Sequence, residues 1–69
     1  MDDDERAELI SRMFALITMK CEDAAAIAAT GQGKRKSQQH RELAGQLLAL
    51  SEECATVAAA TISLLPDKK

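Results

Sequence analysis

The chain has 69 residues, 46% of them hydrophobic and 29% charged, with one Phe and neither Trp nor Tyr. That length holds a single domain near the lower limit of what folds alone, which excludes a Rossmann unit, a barrel or a catalytic α/β domain. Nine Lys and Arg against eleven Asp and Glu leave a net charge of −2, the wrong sign for a nucleic-acid module.

The chain opens on the acidic run Met1-Asp2-Asp3-Asp4-Glu5, where a signal peptide is basic. No stretch reaches the roughly 20 uninterrupted apolar residues of a membrane span. Two cysteines are too few for a disulfide-stapled secreted scaffold. A cytoplasmic protein with reduced thiols and no membrane contact is expected.

The first predicted element is a helix over about residues 3–30. Asp2 to Glu5 suit its positive N-terminal end, and Gly31 suits a left-handed residue just past its end. A basic Gly-containing loop follows at 31–36. A second helix then runs over about 37–65, with Ser37 as its cap, His40 where a capping box wants Glu or Gln, and Pro66 as its stop. Strand signals are nearly absent, since Val57 is the single valine and no β-branched run alternates with polar residues.

Both helices show apolar or small residues alternating three and four apart. In the first these are Ala7, Ile10, Phe14, Ile17, Cys21, Ala24 and Ala28. In the second they are His40, Leu43, Leu47, Leu50, Cys54, Val57, Thr61 and Leu64. Folding the chain about residues 33–34 sets Ile10 against Val57, Phe14 against Cys54, Ile17 against Leu50, Cys21 against Leu47 and Ala28 against His40. The predicted fold class is all-α, an antiparallel two-helix hairpin.

A hairpin alone leaves too much uncovered. Each apolar arc spans roughly 160°, against about 100° for one packed face. The surplus is Leu9, Met13, Leu16 and Ile27 on the first helix, and Ala44, Leu48, Ala58, Ile62 and Leu65 on the second. These residues form the predicted protein interface. A second copy covers them most simply, giving a homodimeric four-helix bundle. An amphipathic helix from another protein is the alternative occupant. Lys34, Arg35, Lys36 and Arg41 crowd the loop end, while Asp2, Asp3, Asp4, Glu5 and Glu8 crowd the other. Opposite charges therefore favour loops beside the partner's termini, although Lys68 and Lys69 reduce the contrast.

Candidate chemistry is sparse. Cys21 and Cys54 are expected roughly 10 Å apart along the hairpin, beyond disulfide reach, and they form no zinc pattern with His40. They read as structural thiols. His40 stands at a helix end, unlike an exposed mid-helix phosphoacceptor, and reads as a packing residue of the last layer. Glu22-Asp23 and Glu52-Glu53 point away from the seam and lack the Glu-x-x-His pairs of di-metal bundles. The segment from Gly31 to Ser37 has neither the spacing nor the preceding strand of a phosphate-binding loop. No enzyme, metal or cofactor is expected. The layout is similar to that of small two-helix proteins that dimerise into four-helix bundles, including the plasmid copy-number Rop family, and in size to hairpin co-chaperones of bacterial secretion systems. No motif matches, so RNA binding does not carry over from that similarity. The expected function is a protein-interaction module: an adaptor, regulator or co-chaperone. The alternative is an RNA- or anion-binding dimer using Lys34, Arg35, Lys36 and Arg41.

Overall fold

The computed structural model describes residues 2–66. Helix α1 spans Asp3–Gly31 and helix α2 spans Ser37–Leu64, and the two pack side by side as an antiparallel hairpin. Alanine, the strongest helix former, is the commonest residue of both segments, so intrinsic propensity and the apolar period agree on helix.

The start of α1 follows the sequence. The Asp2 carboxylate accepts a hydrogen bond from the Glu5 backbone N–H at 2.7 Å, and Asp3, Asp4 and Glu5 occupy the first turn. Its end does not. Gly31 is inside the helix, and no described residue has a positive φ. The helix instead tightens, with Gln32 N–H donating to Ala29 O and Gly33 N–H to Thr30 O. Lys36 rather than Ser37 is the N-cap of α2, and its backbone N–H donates to Gln39 Oε1 at 3.0 Å. Gln39 thus fills the capping-box role for which His40 was one residue too late.

The helices pair about one heptad away from the predicted register. Lys20 Nζ reaches Glu53 Oε1 at 2.5 Å, and Leu43 Cδ1 is 4.0 Å from the site a Gly31 Cβ would occupy. The cause is the loop. Residues 32–36 do not fold back tightly, and Lys36 is extended, so the chain runs past the end of α1 before α2 begins. The first turns of α2 therefore overhang α1, with His40 Nε2 3.3 Å from Gly33 O and the Arg35 Nε–H donating to Thr30 O. A heptad shift preserves the faces of both helices, which is why periodicity alone does not detect it.

The α2 seam is as read from the sequence, with Leu43, Leu47, Leu50, Cys54, Val57 and Leu64 half-buried and Thr61 buried, but with His40 exposed. The α1 seam is turned toward the other side. Met13, Lys20 and Ile27 join Ile10, Ile17 and Ala24 in it, whereas Phe14, Cys21 and Ala28 are exposed.

The result is a rod of 52 × 17 × 17 Å with a radius of gyration of 16.1 Å, against about 11 Å for a compact chain of this length. Among the described residues only Thr61 is buried, at 3% exposure, and no apolar side chain is.

Candidate interaction face

The rotation of α1 decides where the unpartnered apolar surface lies. Taken three and four residues apart, the edge of α1 beside the seam reads Ala7, Ser11, Phe14, Thr18, Cys21, Ala25 and Ala28. The matching edge of α2 reads Ala44, Leu48, Ser51, Ala55, Ala58, Ile62 and Leu65. All are exposed and none is charged. Cys21, Ala24, Ala44, Leu47, Leu48, Ser51 and Cys54 line one open groove of about 570 Å³, which puts both edges on the same side of the hairpin.

The opposite side is different. There Leu16 shares a hollow with Lys20, Glu52, Glu53, Thr56 and Val57, and Thr30 shares another with Arg35, Gln39, Glu42 and Gln46. One side is therefore wettable and the other is not. On the charge-free side Phe14 is 58% exposed, Leu48 62% and Ile62 69%.

The hydroxyls on that face add little polarity. Thr18 Oγ1–H donates to Phe14 O at 3.1 Å, and Ser51 Oγ–H donates to Leu48 O at 2.8 Å. Covering Thr18 and Ser51 therefore leaves neither of these two hydroxyl protons without an acceptor. The alanines keep the surface low enough for another helix to approach within the usual 8–10 Å.

A scan against family models, a search of curated proteins and a search of solved structures each find no match. The likeness to two-helix dimers therefore stays one of layout.

Of the interface residues predicted from sequence, Ala44, Leu48, Ala58, Ile62 and Leu65 lie on the charge-free face. Leu9, Met13 and Ile27 instead enter the hairpin's own seam, and Leu16 lies across the hairpin beside Glu52 and Glu53. Phe14 and Cys21 take their place. Their signal was present in the sequence as a seven-residue repeat with Ala7 and Ala28, but it was assigned to the seam.

The basic residues do not gather into a cleft. Lys34, Arg35, Lys36 and Arg41 are exposed around the loop, and the Arg35 guanidinium is held on Thr30 O. His40 faces the loop carbonyl of Gly33. No group of three His, Cys, Asp or Glu able to hold a metal ion occurs among the described residues. The acidic pairs split: Glu53 pairs with Lys20, and that hydrogen bond holds the Lys20 ammonium above its ordinary pKa despite opposing desolvation.

By length and composition alone α2 is apolar enough to cross a membrane, with a mean hydropathy of 1.4 over eighteen residues. Every such window within Ser37–Leu64 contains both Glu52 and Glu53. Acidic side chains at a bilayer's centre cost about 2.5–3.5 kcal/mol each on the insertion scale.

Proposed function

We propose that this chain is a small non-enzymatic protein-interaction module, an adaptor, regulator or co-chaperone, whose hairpin is completed by a second copy into a four-helix bundle. The observation that carries the reading is the uncharged face running from Ala7 to Ala28 and from Ala44 to Leu65, on a hairpin whose described apolar residues are all at least partly exposed. Unpartnered faces of that size on small helical proteins mark association surfaces. A two-fold axis across the rod brings the face onto itself and sets the basic loop end of one copy beside the acidic N-terminal end of the other.

Charge introduced on either side tests the reading. Leu48→Glu together with Ile62→Glu places carboxylates in the middle of the face, and the expected result is loss of the dimer in sedimentation equilibrium. Leu16→Glu changes the opposite side and is expected to leave the mass unchanged. Equal behaviour of the two variants contradicts this assignment. Salt-sensitive RNA binding that is lost when Lys34, Arg35, Lys36 and Arg41 become Ala favours the nucleic-acid reading instead.

A further inference from the structure

The heptad offset between α1 and α2 brings together two thiols that the predicted register held apart. Cys21 lies at the middle of the exposed edge of α1, and Cys54 is half-buried in the seam of α2. Both line the same groove. One residue back on each helix, the Lys20–Glu53 ion pair fixes their level along the rod. Cys21 is near enough to be one of the groups that hold the Cys54 thiol above its ordinary pKa. Both cysteines are free, and they are the two that the chain possesses. Within that shared groove rotamer changes swing the two sulfurs toward one another, and a disulfide closes where the two Cβ atoms stand about 3.5–4.5 Å apart.

We propose that Cys21 and Cys54 are a redox-active pair that closes an α1–α2 disulfide by exchange with a low-molecular-weight disulfide. Cys21 is the point of entry because it is the more exposed thiol. Burial and the neighbouring Cys21 push the Cys54 thiol above its ordinary pKa, which delays its ionisation and suits it to the second step. In the first step the Cys21 thiolate attacks one sulfur of the oxidant, forming a mixed disulfide and releasing the other half as a thiolate. Cys54 then loses its proton, attacks Cys21 Sγ and displaces the second half. The two protein thiols give up two electrons to the oxidant's S–S bond, and their two protons end on the two released small thiols.

The pairing lies within one hairpin and stands whether or not a second copy covers the groove. If a second copy does cover it, as proposed above, both thiols are shielded in the dimer and exchange proceeds through the dissociated hairpin.

The test uses the full reduced chain with oxidised glutathione, at several protein concentrations, with intact mass as the readout. The expected product has lost two hydrogens, carries no glutathione, resists alkylation at both cysteines and melts at a higher temperature than the reduced chain. Cys54→Ser is expected to stop at the Cys21 mixed disulfide. A wild-type product that keeps glutathione on both cysteines, or a covalent dimer linked through them, overturns the pair. The concentration series separates the two proposals: slower closure at high concentration supports the covered groove, and closure at a constant rate leaves the pair intact while contradicting that cover.

Discussion

At position 45 an added Cβ meets nothing within 4 Å, and the backbone there is ordinary α-helix. Gly45 also lies away from both the seam and the charge-free face. Gly45→Ala is therefore expected to raise stability by about 1 kcal/mol, from helix propensity alone, as measured by urea unfolding. Two other residues govern the alkaline limit. Lys20 has its pKa raised from 10.5 by Glu53, and Cys54 has its pKa raised from 9.0 by burial and Cys21. In both cases the folded state holds its proton more tightly than the unfolded chain. Their contribution is fully present below the unfolded values and is lost as the pH rises through the folded ones. Thermal melts of the reduced chain should fall from about pH 9 upward, and the fall should flatten in Lys20→Gln and Cys54→Ser. An unchanged profile in both variants contradicts the pairing.

At the scale of the two helices, the register rests on Lys20 and Glu53. Glu53→Lys sets two ammonium groups together and should lower the melting temperature, while adding Lys20→Glu should restore it. In the register read from sequence, Lys20 stands near Leu47 and Leu48, and the double change restores nothing. The helices themselves were legible because Asp2, the three-and-four alternation and Pro66 each act over a few residues. The α2 seam from Leu43 to Leu64 was legible for the same reason. The pairing was not, because it depends on how residues 32–36 travel. A heptad slip keeps every apolar face in place, so only the loop's extended path and the cross-helix ion pair reveal it. Turning α1 was a second difficulty. Its sequence offers both Phe14-Cys21-Ala28 and Met13-Lys20-Ile27 beside Ile10-Ile17-Ala24. A lysine in the seam reads as an error until Glu53 is found opposite its ammonium group, with the aliphatic stem lying along the apolar surface.

For the whole molecule, the rod exposes Phe14, Leu48, Ile62 and Leu65 on one charge-free side and keeps its ionic pairs elsewhere, with Leu16 and Met19 exposed outside that face. Acids gather at the N-terminal end and cations at the loop end; Lys68 and Lys69 lie outside the described residues. Packing two rods loop to terminus places these charges in opposition, so the dimer should weaken as salt rises, though only modestly because surface charges are screened over about 8 Å at physiological salt. The most direct measurement is solution mass by light scattering across a dilution series at low and high salt. A mass near twice the chain's 7.4 kDa, falling toward one chain on dilution and sooner at high salt, is the predicted result. A cooperatively folded species of 7.4 kDa at every concentration contradicts it, because the hairpin would then be stable with its uncharged face in water.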